Sequence, residues 1–199
     1  MRIIKADFVK SALKPEQYPK YNHPECAFIG KSNVGKSSLI NMITNRKNLV
    51  KTGSKPGMTQ MINFFLINDK YSFVDLPGYG FAKAPENVRK QFKPMIETYF
   101  KNRENLKIVF LLIDCRREVT DIEKNMITLL SSLKIPTAII MTKTDKLTKN
   151  QNAQNTFRIA DQLNIEKEWI IHASALKNTG KREIISLINE YSHTSIGSV

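Results

Sequence analysis

The stretch Gly30-Lys31-Ser32-Asn33-Val34-Gly35-Lys36-Ser37-Ser38 decides the fold, because it fits G-x-x-x-x-G-K-[ST] and stands between an apolar run and a helical pattern. In that setting the pattern is a phosphate cradle. Gly30 and Gly35 let the backbone wrap round a polyphosphate, with Lys31, Ser32, Asn33, Val34 and Ser38 completing the loop. The helix starting beside Lys36 adds its positive dipole end. Lys36 is placed to reach the β- and γ-phosphates, and Ser37 offers a hydroxyl to Mg²⁺. A ligand-free glycine-rich turn is the alternative, and the flanking strand and helix argue against it.

Outward from the cradle, short apolar runs alternate with helical patterns, the mark of βα units on a mostly parallel sheet. Strands are expected at residues 25–30, 60–68, 71–75, 107–114, 136–142 and 169–171, and helices at 35–44, 86–102, 120–133, 150–163 and 181–192. Only Asp69 and Lys70 separate the second and third strands, which implies a tight hairpin and one antiparallel pair. The expectation is an α/β P-loop fold: a six-stranded, mostly parallel sheet with one antiparallel edge strand and helices on both faces. Residues 25–199 read as one domain, with residues 1–24 as an appendage packed on or beside it.

A chain of 199 residues that is 41% hydrophobic can bury one sizeable core. Charges at Arg2, Lys5, Asp7 and Lys10 break any N-terminal apolar run, so neither a signal peptide nor a membrane helix is expected, and the cytoplasm is. Cys26 and Cys115 sit in strand candidates as reduced, buried thiols do. The net charge is +13, from 31 Lys and Arg against 18 Asp and Glu. Residues 79–107 alone hold seven basic residues against three glutamates. Such clustering points to a polyanion such as nucleic acid, against the plainer reading of a solvated lysine-rich surface. Membrane attachment is not expected, since no amphipathic basic helix with an apolar aromatic face and no lipidation motif is found.

Downstream motifs sharpen the ligand. Asp75 ends a strand candidate with Gly78 three residues on, giving D-x-x-G: a carboxylate for a second, water-mediated Mg²⁺ contact and an N–H close to a γ-phosphate. Between the cradle and Asp75 lies TGSKPGMTQ, a polar loop with Gly57 and Thr59. Thr59 is placed to ligate Mg²⁺ and meet the γ-phosphate, with Thr52 as its rival. At the end of the fifth run, Thr142, Lys143 and Asp145 form T-K-x-D. The Asp145 carboxylate accepts from both N1–H and the exocyclic amine of guanine, whereas adenine opposes it with an acceptor; the Lys143 stem can cover the base. Ser174 and Ala175 follow the sixth strand, with the Ala175 N–H aimed at the guanine carbonyl.

These five elements in order resemble the translation-factor-related GTPases. More narrowly, GKSNVGKSSLIN, KPGMTQ, DLPGYGFAK and TKTDKL resemble the EngB (YihA/YsxC) family of ribosome-assembly GTPases, over roughly residues 25–190. The resemblance implies a P-loop GTPase fold, GTP and GDP as ligands, catalytic roles for Lys36, Thr59 and Gly78, and a monomeric partner of the large ribosomal subunit. Cell division and septation come with it.

Two departures from the best-known GTPase pattern stand out. Thr142 replaces the Asn of N-K-x-D and reaches less far, which lowers the expected nucleotide affinity. Tyr79 stands where Ras-like enzymes carry a water-orienting Gln, so unaided hydrolysis is expected to be slow. Asn33 offers compensation: in related GTPases with G-x-x-N-x-G-K-S this residue helps hold K⁺ beside the phosphates, against the plainer reading that it shapes the loop. Phe64, Phe65, Phe73, Phe110 and Trp169 are expected in the core, while Tyr79 and Phe81 are candidates for exposure and rRNA stacking. An RNA-binding module with little turnover remains the rival to a switch.

Overall fold

The computed structural model describes residues 2–50, 61–80 and 86–193, and of residues 86–91 the backbone alone. Its strands are β1 (Ala6–Ala12), β2 (Glu25–Gly30), β3 (Ile62–Ile67), β4 (Tyr71–Asp75), β5 (Leu106–Asp114), β6 (Thr137–Thr142) and β7 (Ile170–His172). Its α-helices are α1 (Lys36–Thr44), α2 (Glu86–Asn102), α3 (Asp121–Ser132), α4 (Lys149–Leu163) and α5 (Lys181–His193). One sheet runs in the order β1-β3-β4-β2-β5-β6-β7.

The central strands β2 and β5 are apolar almost throughout because both of their faces are covered. Alternation along β2 sorts the core into two layers. Cys26 and Phe28 join Leu39, Ile40 and Ile43 of α1 and Ile184 and Ile188 of α5. Ala27 and Ile29 join Tyr99 of α2, Leu130 of α3 and Ile159 of α4. Phe28 packs its ring at 5.3 Å from Phe73 and 5.1 Å from Phe110, so three neighbouring strands share one aromatic cluster. The β3–β4 hairpin turns through Asn68 and Asp69, both at positive φ as the favoured tight turns require, and Lys70 N–H donates to Ile67 O at 3.0 Å.

The sheet has seven strands rather than six. The addition is β1, which pairs antiparallel with β3 from Ala6↔Ile67 to Ala12↔Ile62. The antiparallel strand of the hairpin, β3, is therefore interior, and the edge belongs to β1. ADFVKSA hides from a periodicity reading because four consecutive residues, Asp7 to Lys10, are exposed, and a bulge shifts the register between Phe8 and Lys10. A bulged edge strand bearing Asp and Lys resists further pairing. Trp169 also departs from expectation: it belongs to a 3₁₀ turn, Lys167–Trp169, ahead of β7 and is 44% exposed.

The chain between β1 and β2 is fastened beneath the sheet, at the end opposite the cradle. Glu25, fully buried, takes a bidentate pair from Arg103, Nη2 to Oε1 at 2.7 Å and Nε to Oε2 at 2.8 Å, plus the Tyr99 hydroxyl at 3.0 Å. Arg103 Nη2 also donates to Pro19 O at 3.1 Å, and its guanidinium lies over the Tyr18 and Phe64 rings. Among the described helices none is long and apolar enough to cross a membrane.

Candidate functional site

The site lies at the carboxyl ends of the parallel strands, where open α/β sheets bind ligands. It begins where β2 stops. A Cβ at Gly30 would stand 2.8 Å from Leu112 O, so only glycine lets β2 and β5 stay this close as the chain turns. The loop passes through Asn33 and Gly35, at φ 63° and 106°, and enters α1 without a side-chain cap. The first N–H groups of α1 are thus left for a ligand. Ser32 Oγ is buried without a hydrogen-bond partner among the described residues. These donors fit a polyanion.

Lys36, the first residue of α1, is buried, and its Nζ pairs directly with Asp75 Oδ1 at the end of β4. Asn63 Nδ2 donates to Asp75 Oδ2 at 3.5 Å. The segment after Asp75 is laced to the cradle: Leu76 N–H donates to Phe28 O at 3.0 Å, Tyr79 N–H to Gly30 O at 3.2 Å, and Ser32 N–H to Tyr79 O at 2.9 Å. Gly78 lies over the loop so closely that a Cβ there would stand 3.2 Å from Gly30 O and 3.3 Å from Ser32 N and Oγ. Ser37 is half-buried and Ser38 exposed on the opening turns of α1.

Tyr79 is not exposed for stacking. It is 3% accessible, and its hydroxyl donates to Glu123 Oε1 at 2.9 Å. Burial, with the Glu123 charge and hydrogen bond acting in the same sense, raises the phenol far above its ordinary pKa. Phe81, Thr52, Gly57 and Thr59 lie outside the described residues.

The second half of the site is built on β6 and β7. Thr142 Oγ1 donates to Val34 O at 2.7 Å, so the threonine does reach the cradle. Lys143, at φ 60°, sends Nζ to Asn33 O at 2.7 Å and to Asp114 Oδ2 at 2.9 Å, its stem passing Gly35. Burial pushes the Asp114 carboxyl up, but hydrogen bonds from Arg116 and Lys143 outweigh it and hold the group below the usual carboxylate range. Asp145 accepts the Ser174 hydroxyl at 2.5 Å, which lowers its pKa and keeps it ionised. Thr144 N–H donates to Ala173 O at 3.3 Å, joining the two loops, and Ala175 is half-buried beside Ser174.

Hydrogen bonds thus bring the Gly30–Ser38 loop, Asp75, Thr142 and Lys143 together, hold Gly78 over the loop through Leu76 and Tyr79, and join Asp145 to Ser174. Asp114 and Glu123 escaped the sequence reading. Asp114 could have been found as the acid ending the β5 apolar run; Glu123 carries no local signal beyond the T-x-x-E that opens α3.

Comparison with known proteins gives concordant results. A family model for "50S ribosome-binding GTPase" matches residues 25–143. The chain is 51% identical to the probable GTP-binding protein EngB of Pelobacter propionicus, over 91% of this chain and 90% of that one. It is 49% identical to its counterpart from Desulforamulus reducens, over 97% and 95%. Among solved structures, a probable GTP-binding protein engB superposes with a TM-score of 0.71 at 26% identity, covering 84% of this chain and 98% of that one. Era of Aquifex aeolicus bound to GDP·AlF4⁻ shares the fold, with a TM-score of 0.65 at 22% identity over 87% of this chain and 57% of that one.

Proposed function

Because this chain belongs to the EngB family of P-loop GTPases and is by that membership a GTPase, we propose that it binds Mg²⁺–GTP in the Gly30–Ser38 cradle. We further propose that it acts as a cytoplasmic monomer in assembly of the large ribosomal subunit, its basic surface meeting RNA. The observation that carries the guanine assignment is the Asp145 carboxylate fixed by Ser174 at 2.5 Å. Held ionised there, it accepts from both N1–H and the exocyclic amine of guanine.

The phosphates are the work of the other half. Lys36 exchanges the Asp75 carboxylate for the β- and γ-phosphate oxygens, and the uncapped N–H groups of α1 complete the cradle. Ser37, Thr59 and Asp75 would hold Mg²⁺. When bound, the ion neutralises charge shared by the β- and γ-oxygens. Gly78 presents its N–H to the γ-phosphate, and Thr59 orders its own loop against the same group.

Unaided turnover is slow because Tyr79 turns its side chain to Glu123, leaving nothing at that position to orient water. Asn33, exposed on the loop, would hold K⁺ to supply the missing charge; equal turnover in KCl and NaCl at matched ionic strength contradicts this. The same burial of Tyr79 favours the second reading, an RNA-binding module with nucleotide as a structural ligand. Single-turnover hydrolysis with and without large subunits separates the two, since a module shows no stimulation. The test of the base assignment is Asp145→Asn: preference moves from GTP to xanthosine triphosphate, whose base pairs with an amide. Retained GTP selectivity refutes it.

A further inference from the structure

Glu123 is a buried acid with no place in the nucleotide chemistry above. Lying at the third position of α3 and 4% exposed, it turns Oε2 to the Thr120 backbone N–H at 2.8 Å and to the Thr120 hydroxyl, closing the helix as a capping box. A cap needs one oxygen only. Oε1 instead accepts the Tyr79 hydroxyl at 2.9 Å, across a sequence separation of 44 residues. Tyr79 itself is held at three points, by its N–H on Gly30 O, its carbonyl under Ser32 N–H and its hydroxyl on α3, while its ring packs edge-on to Phe92 at 6.4 Å.

Gly78 is one peptide bond from this anchored residue, with no side chain of its own to fix it. Its place over the cradle is therefore set by Tyr79. Two of the three ties are main-chain bonds to the very loop that must receive phosphate. The third, to Glu123, comes from a helix outside that loop.

We propose that Glu123 is a positioning residue for triphosphate recognition: acting through the Tyr79 hydroxyl, it holds the Gly78 N–H over the cradle in advance of ligand. Preorganisation of this kind removes the ordering cost from a contact that GTP makes and GDP does not. Selection of GTP over GDP then depends on a carboxylate that touches neither. The inference rests on the assignment of Gly78 to the γ-phosphate.

The test uses the full chain with Tyr79→Phe, which leaves the α3 cap whole, and Glu123→Gln, which keeps a side chain able to cap. Affinities for a non-hydrolysable GTP analogue and for GDP are measured by fluorescent-nucleotide titration. Tyr79→Phe, which loses a hydrogen bond to a buried charged group, is expected to bind the GTP analogue about tenfold more weakly, and Glu123→Gln, whose amide can still donate to the Tyr79 hydroxyl, is expected to lose less. GDP affinity should stay within about twofold of wild type, and the double variant should lose no more than the worse single one. An equal loss for both nucleotides, or an unchanged ratio, overturns the proposal. The Gly78 amide resonance of the wild type, compared between the two complexes, tells which step failed. If it is the same in both, the γ-phosphate assignment falls and the proposal with it. If it differs while the variants keep the wild-type ratio, Glu123 alone is excluded.

Discussion

Replacing Thr142 by Val removes one hydroxyl and almost no volume, and it cuts a strut between base recognition and the phosphate loop. Thr142 Oγ1 donates to Val34 O at 2.7 Å and lies 3.3 Å from Ile113 O, in a residue that is buried. The variant loses the bond and leaves the Val34 carbonyl facing a methyl group. A net bond is worth about 0.5–1.5 kcal/mol and a stranded buried acceptor about 1–3 kcal/mol. Val34 is the middle of the loop proposed to wrap the phosphates, so a carbonyl that turns away to find water would pull the N–H groups of the loop out of register. About 1–3 kcal/mol appears as a loss of roughly 5- to 150-fold in nucleotide affinity. Because the strut lies upstream of any contact particular to the γ-phosphate, GTP and GDP suffer alike. Fluorescent-nucleotide titration measures both, and Thr142→Ser, which keeps the hydroxyl, binds within a few-fold of wild type. Wild-type affinity in the Val variant, or a Ser variant as weak as the Val one, contradicts a strut made by the Thr142 hydroxyl.

Arg103→Leu leaves the Glu25 charge buried with only the Tyr99 hydroxyl on it, and frees Pro19 and Tyr18 from a shared partner. Chemical denaturation should register a loss of about 3–5 kcal/mol, and a change under about 1 kcal/mol contradicts a stabilising role for the pair. Asp114 tests the electrostatics of the site through pH. Its native pKa lies below the unfolded value, so its contribution to stability is complete above the ordinary carboxylate pKa of about 4 and fades as pH falls through the native one. Asp114→Asn should flatten that acid limb in urea melts taken from pH 7 downward; an unchanged slope refutes the assignment.

The parts of the site legible from sequence are those whose chemistry depends on residue identity at short spacing. Gly30, Gly35 and Lys36 belong to one turn, and Thr142, Lys143 and Asp145 to another, so each pattern is complete within a few residues. The partnerships linking those patterns lie far apart in the chain. Thr142 meets Val34 across 108 positions and Tyr79 meets Glu123 across 44, and no local pattern encodes either. Tyr79 reads as a loop aromatic free to stack because its inward turn depends on a helix not yet formed when the motif is read. The strands from β2 to β7 follow from apolar runs that the sheet buries. The first strand escaped because an exposed edge needs no apolar alternation, and Asp7 and Lys10 are there to be seen by water. Trp169 misled for the opposite reason: its size argued for the core, but the 3₁₀ turn before β7 lifts it to the surface.

The proposed role in large-subunit assembly requires a contact with the large ribosomal subunit that responds to the bound nucleotide. Co-sedimentation of the full chain with large-subunit particles, in GDP, GTP and a non-hydrolysable GTP analogue and at two salt concentrations, measures it directly. Retention should differ between GDP and the analogue and weaken as salt rises, as a phosphate-driven contact must. Binding that is indifferent to nucleotide, or undiminished by salt, would contradict it.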